Sequence, residues 1–360
     1  MERIKVLIVD DSAFMRKLLH DFLSENQSIE VIGTARNGED AIKKIQELKP
    51  DVVTMDIEMP ILNGLEALRY IMRTTPLPIV MLSSTTQNGA ENTILACSYG
   101  AVDFVAKPSG AISLDLHKIK EELIQKVISA SKVKMHQLMI NNYAKSTTNV
   151  TANYSKIERE RPIDVTGNSS AKKIVCIGTS TGGPRALQQV IGKLPKDFNA
   201  PVLVVQHMPA GFTKSLANRL NSISDVNVKE AVDGETVNKG TVYIAPGGMH
   251  LKIKELGTNL TIQLDATTPP RNGHRPSVDV MFESISRLRD YQKIAVIMTG
   301  MGMDGTKGLQ ELKKCGPVTA IAESQETSIV YGMPKAAVAT KLVDEVQNVE
   351  NIAETILKYV

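Results

Sequence analysis

The sequence predicts an α/β protein made of two doubly wound, mostly parallel-sheet domains, and three observations support this fold class. The chain has 360 residues, enough for two domains that each bury a core. Short apolar runs alternate with amphipathic segments, as strands and helices do in a parallel sheet. A polar stretch rich in Ser, Thr and Asn interrupts this alternation. We therefore predict domains at residues 1–128 and 171–360, with a linker at 129–170.

The first domain contains five short apolar runs, each followed by a segment with helical periodicity. In chain order the pattern reads KVLIVD, AFMRKLLHDFL, VIGTA, GEDAIKKIQEL, DVVTMDI, GLEALRYIM, PIVML, ENTILACSYG, VDFVAK and LHKIKEELIQKVI. Five strands that alternate with helices predict a doubly wound parallel sheet. Sites in such sheets lie at the carboxyl ends of the strands.

The second domain resumes the alternation after the linker and continues to the end of the chain. It begins with the strand KKIVCIG and contains PVLVVQ, GFTKSLANRL, TVYIAP, SVDVMFESISRL, KIAVIMTG, TKGLQELKK, PVTAIAE, PKAAVAT and VENIAETILKY. The segment LKIKELGTNLTIQL around Gly257 predicts a hairpin. We predict a Rossmann-like α/β domain that is not an internal repeat of the first.

Composition excludes several classes of protein. Hydrophobic residues make up 42% of the chain and charged residues 22%, which is typical of a globular protein. The start MERIKVLIVDD lacks a secretory signal pattern, and no apolar run approaches the roughly 20 residues of a membrane span. The three cysteines are far apart without Cys-x-x-Cys spacing, so neither disulfides nor zinc are expected. We expect a cytoplasmic protein without membrane insertion.

The charge distribution argues against nucleic-acid binding. The net charge is +3, and the stretch 129–170 holds six cations and three acids, so the two predicted domains together are neutral. A nucleic-acid site on a folded domain would need clustered Lys and Arg. The second domain is also too long and too strand-rich for a helix-turn-helix module.

Three carboxylates are predicted to meet at one edge of the first sheet. Asp10 and Asp11 end the first strand, and Asp56 ends the third. Like charges in a cluster need a neutralising partner, and Mg²⁺ suits a few carboxylates with waters left over. Ser83 closes the fourth strand and Lys107 the fifth, so a hydroxyl and an ammonium lie at the same edge. This set can bind a phosphoryl group.

These five positions together resemble the receiver domain of response regulators, a flavodoxin-like fold, over its full length. The resemblance implies that Asp56 accepts a phosphoryl group from a histidine kinase and that Ser83 and Lys107 contact it. It implies that Mg²⁺ is held by Asp10, Asp11, Asp56 and the carbonyl of Glu58. Phe104 lies where receivers often carry a switching aromatic, and it can equally be a core residue.

The stretch IGTSTGGP in the second domain has two interpretations. Its Gly-x-Ser-x-Gly pattern is typical of a nucleophilic serine, here Ser180, on a tight strand-to-helix turn. Glycines before a helix N-terminus also suit a bound phosphate. The stretch lacks a Gly-x-Gly-x-x-Gly pattern and a P-loop lysine. The pattern alone leaves both interpretations open.

A serine nucleophile needs a base and an acid that orients the base. His207 follows the strand PVLVVQ and is the best placed of the histidines, ahead of His250 and His274. Asp304 follows the strand KIAVIMTG through a glycine-rich turn. Its rival, Asp279, sits inside an amphipathic helix pattern. The resulting chain order, Ser-His-Asp, differs from that of the α/β-hydrolases.

Five dispersed motifs resemble the catalytic domain of chemotaxis protein-glutamate methylesterases. They are IGTSTGGP, VVQHMP, APGG, GHRPSVDVMF and MTGMGMDG. A receiver followed by a linker and this domain is similar to that family's architecture. The resemblance implies that Ser180 is the nucleophile, His207 the general base and Asp304 its partner. It implies that the N–H of Met301 donates to the oxyanion, with Thr181 a further contributor, and that this domain needs no cofactor.

The implied reaction is hydrolysis of glutamate γ-methyl esters on methyl-accepting chemoreceptors, with deamidation of particular glutamines as a related activity. A chemotaxis histidine kinase is the implied phosphodonor. We expect the unphosphorylated receiver to cover the cleft around Ser180. One rival is an output domain that binds a phosphorylated ligand through IGTSTGGP, which predicts that Ser180→Ala keeps full function. A second rival, DNA-binding output, predicts retention on DNA at moderate salt.

Overall fold

The structure is a computed structural model that describes residues 2–107, 115–135 and 172–360. Most of the predicted linker, 136–170, lies outside the described residues, so its bounds and those of the two domains stay predictions. The predicted fold class is confirmed, because mostly parallel sheets with helices form both parts of the described chain. No helix in these three ranges is both long enough and apolar enough to cross a membrane.

The first sheet has five parallel strands in the order β2-β1-β3-β4-β5. The strands are β1 (Ile4–Val9), β2 (Ile29–Ala35), β3 (Val52–Asp56), β4 (Ile79–Ser83) and β5 (Asp103–Ala106). The helices are α1 (Ala13–Ser24), α2 (Gly38–Leu48), α3 (Gly64–Thr74), α4 (Gln87–Tyr99) and α5 (Asp115–Ala130). The strand order reverses between β1 and β3, where ligands bind in doubly wound sheets.

Both faces of this sheet are buried, which explains why its strands are continuous apolar runs. Leu7 and Val9 of β1 pack into the core on one face, while Val6 and Ile8 pack into the core on the other. This burial on two faces is the rule for parallel sheets flanked by helices. Side-chain oxygens accept backbone N–H groups at the starts of four helices, which sets where they begin. These caps are Ser12, Asn37, Asn63 and Thr86.

The second sheet has seven parallel strands in the order β14-β13-β12-β6-β7-β9-β8. The strands are β6 (Lys172–Thr179), β7 (Val202–Gln206), β8 (Asn227–Glu230), β9 (Thr241–Ile244), β12 (Tyr291–Ile297), β13 (Val318–Glu323) and β14 (Glu345–Gln347). The helices are α6 (Gly183–Ile191), α7 (Phe212–Asn221), α8 (Val278–Ser286), α9 (Thr306–Lys314), α10 (Met333–Ala339) and α11 (Val349–Tyr359). Its strand order reverses between β6 and β12. The carboxyl ends of these two strands are therefore where a ligand site is expected.

The predicted hairpin forms outside this sheet. Strand β10 (His250–Leu256) pairs antiparallel with β11 (Asn259–Asp265), and Gly257 in the turn has a φ of +63°. That positive φ explains the glycine. Two strands are absent from the sequence prediction, β8 with four residues and β14 with three. Both lie at sheet edges and carry charged residues, so neither shows the apolar run of a central strand.

The two domains contact each other near the carboxyl edge of the second sheet. Helix α4 of the first domain packs against α6 and α7 of the second. The ring of Phe104 on β5 stacks on Phe212 at the start of α7, with ring centroids 4.7 Å apart and planes at 29°. Phe104 therefore belongs to the contact between the domains.

Candidate functional site

The candidate nucleophile lies on a tight turn between β6 and α6. Ser180 donates its backbone N–H to the carbonyl of Thr299 (3.0 Å), and its carbonyl accepts the N–H of Gly183 (2.8 Å). Gly182 has a φ of +78°, and a Cβ there would lie 2.6 Å from Ile329. Both conditions exclude a larger residue. The glycines thus allow a tight turn that leaves Ser180 at the helix N-terminus.

The candidate base lies at the end of the neighbouring strand, as predicted. His207 follows β7, and its backbone N–H donates to the carbonyl of Thr179 (3.1 Å). Its Nε2 lies 2.8 Å from Oδ2 of Asp304, and both side chains are buried. Its buried Nδ1 has no hydrogen-bond partner among the described residues. When Nε2 carries the proton shared with Asp304, Nδ1 is the nitrogen that can accept one from a hydroxyl.

Asp304 is held by the start of α8 as well as by His207. Its carboxylate accepts the hydroxyl of Ser277 and the backbone N–H groups of Val278 (2.7 Å) and Asp279 (3.0 Å). Burial alone would raise the pKa of Asp304, but the hydrogen bond and charge of His207 and these N–H donors hold it below its ordinary value. An ionised carboxylate therefore faces His207. The rival acid Asp279 instead accepts the N–H of Gly308 (2.7 Å).

A second imidazole covers the candidate base. The ring of His274 stacks on that of His207, with centroids 3.8 Å apart and planes at 8°. Burial, together with the charge of His207, lowers the pKa of His274 to about 4. His274 is therefore neutral near neutral pH, and its ring covers one face of the His207 ring.

Two neighbours of Ser180 were not singled out by the sequence reasoning. Nε2 of Gln206 donates to the carbonyls of Ser180 (2.9 Å) and His207 (3.1 Å), and so ties the two turns together. The carbonyl of Thr299, just beyond β12, accepts the Ser180 N–H. Gln206 is the last residue of a buried strand, and a polar side chain there is the one available signal.

The predicted oxyanion donors are both close to the first domain. Met301 follows Thr299 after β12, is 39% exposed, and accepts the Ser129 hydroxyl of α5 at its sulfur (2.9 Å). The hydroxyl of Thr181 donates to Oδ2 of Asp103 on β5 (2.5 Å). The hydroxyl of Thr181 is therefore already occupied by a carboxylate of the first domain.

The predicted acidic cluster forms at the edge of the first sheet. Carboxylate oxygens of Asp10, Asp11 and Asp56 lie within 4.8 Å of one another. Nζ of Lys107 lies 2.8 Å from both Asp10 and Asp56. Burial is the largest effect on Asp56, with Asp10 adding to it, and raises its pKa to about 6 against the opposing charge of Lys107. These hard oxygen donors, with more negative than positive charge, fit a divalent cation such as Mg²⁺.

The structure brings Glu58 to this cluster but turns the hydroxyl of Ser83 away. The Glu58 N–H donates to the Asp56 carboxylate, and Glu58 and Asp11 line one open cleft of about 580 Å³. Ser83 is fully buried, donates to the Gly89 carbonyl (3.0 Å) and accepts from the Thr93 hydroxyl (2.6 Å). Its predicted contact with a phosphoryl group would require the hydroxyl to leave α4.

Two family models match the chain in the predicted order. The response regulator receiver domain matches residues 6–118, and the CheB methylesterase domain matches residues 175–356. The match to the second model covers half of the chain.

Curated relatives resemble the chain over nearly its whole length. A protein of Halalkalibacterium halodurans is 54% identical over 99% of this chain and 98% of its own. One of Geobacillus kaustophilus is 55% identical over 100% and 99%, and one of Bacillus subtilis is 54% identical over 98% and 97%. All three are named protein-glutamate methylesterase/protein-glutamine glutaminase.

A solved structure resembles the second domain. The crystal structure of the Thermotoga maritima CheB methylesterase catalytic domain is 48% identical, with a TM-score of 0.51. It covers 53% of this chain and 100% of its own. From these matches and the arrangement of the two sheets, the chain belongs to the CheB methylesterase family, with a response regulator receiver domain ahead of the methylesterase domain.

Proposed function

We propose that this chain hydrolyses glutamate γ-methyl esters on methyl-accepting chemoreceptors and deamidates specific glutamines on them. Both reactions are acyl transfers at a γ-carbonyl. The observation that carries the proposal is the buried pair of His207 and Asp304 beside the Ser180 turn. It lies in a domain whose relatives are named for these two activities.

The proposed chemistry uses the side chains of Ser180, His207 and Asp304, backbone N–H donors and a water molecule. The Ser180 hydroxyl attacks the γ-carbonyl while Nδ1 of His207 takes its proton, and Asp304 stabilises the resulting imidazolium. The imidazolium protonates the ester oxygen, or the amide nitrogen of a glutamine, as its bond to the carbonyl carbon breaks, and methanol or ammonia leaves. Water then attacks the acyl-enzyme, His207 accepts its proton, and Ser180 leaves with that proton. The products are a glutamate side chain and free enzyme.

The negative charge that develops on the carbonyl oxygen needs donors already in place. We assign the backbone N–H of Met301 and the helix N-terminus at Thr181 to this role. Ser180 directly follows β6 and Met301 lies in the loop after β12, on either side of the point where the strand order reverses. Nucleophile and donor thus come from the loops that follow two adjacent strands.

We propose that residues 1–128 receive the signal and residues 171–360 carry out the hydrolysis. A chemotaxis histidine kinase would phosphorylate Asp56, and Lys107 would neutralise the added charge. Mg²⁺, held by Asp10, Asp11, Asp56 and the Glu58 carbonyl, would supply charge neutralisation for the incoming phosphoryl group. The Ser83 hydroxyl would turn toward it from α4. We place the protein in the cytoplasm, with the cytoplasmic helices of the receptors.

Contacts between the domains support control of the site by the receiver. Asp103 holds the Thr181 hydroxyl, and Ser129 contacts Met301. The first domain therefore contacts both residues assigned to the oxyanion, at the Thr181 hydroxyl and at the Met301 sulfur. Phosphorylation would shift the population toward an open form in which a receptor helix reaches Ser180.

The test is methanol release from methylated chemoreceptor membranes with and without acetyl phosphate and Mg²⁺. The wild type should release methanol, and the phosphodonor should raise the rate by roughly 5- to 150-fold, the usual range of coupling between two sites. The Asp56→Asn variant should keep its basal rate of methanol release when the phosphodonor is added. Asp21→Asn, an exposed change on α1, should respond like the wild type.

Absence of methanol release by the wild type under both conditions would contradict the proposed esterase. Equal stimulation of Asp56→Asn and the wild type by the phosphodonor would contradict only the assignment of the phosphorylation site.

Weakening the contact between the domains should raise the basal rate. Phe104→Ala removes the stack on Phe212, and such pairs contribute about 0.5–1.5 kcal/mol beyond their buried area. If that energy favours the closed form, unphosphorylated turnover on receptor membranes should rise about 2- to 10-fold. Turnover of a small methyl ester should rise less than turnover of receptor membranes, because a small ester can reach Ser180 through a narrower opening of the cleft.

Phe14→Ala is the matched control, since that ring is 65% exposed on α1. An unchanged basal rate in a folded Phe104→Ala protein would show that this stack does not restrain the site.

A further inference from the structure

A buried carboxyl group is linked to the serine turn through one residue and takes no part in the proposed chemistry. Glu323 is the last residue of β13, the strand beside β12, and is 1% exposed. One carboxylate oxygen accepts the backbone N–H of Thr299 (2.7 Å), and the other accepts the hydroxyl of Thr327 (3.0 Å). A buried acid with two donors aimed at it acts as an acceptor in the folded protein.

Thr299 is the residue through which this carboxyl can influence the site. Its carbonyl accepts the Ser180 N–H (3.0 Å) and the Thr179 hydroxyl (3.0 Å). Its own hydroxyl donates to the Thr181 carbonyl (2.9 Å) and accepts the Val330 N–H (3.0 Å). Each polar group of Thr299 therefore has a partner, and three of those partners lie in the 179–181 turn.

The residues that follow Thr299 lead directly to the proposed oxyanion donor. Gly300 donates its N–H to Val330 (3.0 Å), and its carbonyl accepts the N–H of Met333 (2.8 Å). A Cβ on Gly300 would lie 2.7 Å from the Cβ of Ser180, so the two segments touch. The N–H of Met301 is two residues from Thr299, so a shift of Thr299 moves the donor relative to the nucleophile.

We propose that Glu323 is a positioning residue that holds the segment Thr299–Met301 in register with the Ser180 turn. This inference rests on the proposed function for its effect on turnover, and on the hydrogen bonds alone for its effect on structure. Glu323 touches no substrate atom. It acts by fixing the Thr299 amide, and through that residue both the candidate nucleophile and the oxyanion donor.

The role requires an acceptor and does not require a charge. Burial, opposed by the Thr299 and Thr327 hydrogen bonds, raises the pKa of Glu323 to about 7. Charged groups near it are Glu350 of α11, which raises that pKa further, and Arg185 of α6, which lines the same small cavity. A glutamine at 323 could still accept the Thr299 N–H, while its amide nitrogen donates to a rotated Thr327 hydroxyl. Leucine could do neither.

The experiment compares Glu323→Gln and Glu323→Leu with the wild type in full-length protein. We expect Glu323→Leu to lower kcat for a small methyl ester about 10- to 100-fold with KM within about threefold, since small misplacements cost this much. Glu323→Gln should keep kcat within about threefold of the wild type. Glu326→Leu, at an exposed position of the same loop, is the matched control and should behave as the wild type.

Amide hydrogen exchange provides a second measurement that does not depend on turnover. In the wild type and Glu323→Gln, the amides of Thr299 and Ser180 should exchange slowly. In Glu323→Leu both should exchange faster, while amides of β7 keep their protection.

Two outcomes would overturn the inference. One is Glu323→Leu with unchanged kcat and unchanged exchange at Thr299 and Ser180. The other is a Glu323→Gln protein as impaired as Glu323→Leu, which would mean that the charge matters and not the acceptor. A wild type without esterase activity would refute the proposed function, and exchange at Thr299 and Ser180 would still decide the role of Glu323.

Discussion

Ser180→Ala is expected to lower kcat for methyl-ester hydrolysis by roughly 10⁵- to 10⁶-fold, as loss of the serine does in other hydrolases with a Ser-His-Asp triad. The methyl group of alanine fits the turn, because the hydrogen bonds there come from the backbone of residue 180. KM should change little, since the hydroxyl acts on the transition state more than on the bound ester. Methanol release under phosphodonor stimulation is the measurement.

The control for this change is Ser222→Ala, a serine-to-alanine change at an exposed helix end. It should retain wild-type turnover. If Ser180→Ala retained full receptor-dependent function, the turn would act through its backbone, and the ligand-binding interpretation of IGTSTGGP would replace the esterase.

Asp304→Asn is expected to lower kcat by roughly 10³- to 10⁴-fold, the effect of the corresponding change in other triads. An amide at 304 could donate to Nε2 of His207, which would stabilise the wrong tautomer and place the proton on Nδ1. His207 could then no longer accept the Ser180 proton. The measurement is kcat for a small ester as a function of pH. The kcat of Asp304→Asn should stay below that of the wild type at every pH.

The same substitution should destabilise the fold in a pH-dependent way. The Asp304 carboxylate accepts the Val278 and Asp279 N–H groups, and its pKa lies below the ordinary value. Stability from a lowered carboxyl pKa is complete above about pH 5 and is lost as the pH falls through the folded-state pKa. The wild type should therefore be more stable than Asp304→Asn at neutral pH, and the difference should narrow in acid.

Urea unfolding at several pH values measures this difference. Asp344→Asn is a partly exposed control, bonded to Lys313 and to the Ala320 N–H. A constant gap between wild type and Asp304→Asn down to pH 3 would contradict the assigned pKa direction.

Sequence reasoning predicted the residues that stand at the ends of buried strands. Thr179 pairs with Gln206 across β6 and β7, so placing His207 near Ser180 required only that these two strands be neighbours. The position of Asp304 followed in the same way from the strand before it. Periodicity and strand ends carry this kind of information because a parallel sheet aligns its carboxyl ends.

Other parts of the site could not be predicted because they depend on which strands are neighbours. Glu323 acts on Thr299 only because β13 lies beside β12. The bond between Asp103 and Thr181 depends on how the two domains meet, for which a single sequence has no local pattern. The stack of His274 on His207 joins two loops that are far apart in the chain, and strand ends do not predict where the second loop lies.

Strand β5 connects the acidic cluster of the receiver with its contact to the serine turn over only a few residues. Lys107, directly after the strand, contacts Asp56, while Asp103 at its start holds Thr181. At about 3.3 Å per residue, these positions are only about 13 Å apart along an extended backbone. Four residues of one strand therefore connect a contact of the proposed phosphorylation site with a contact of the serine turn, and this strand is the shortest path along the chain for the coupling proposed between the domains.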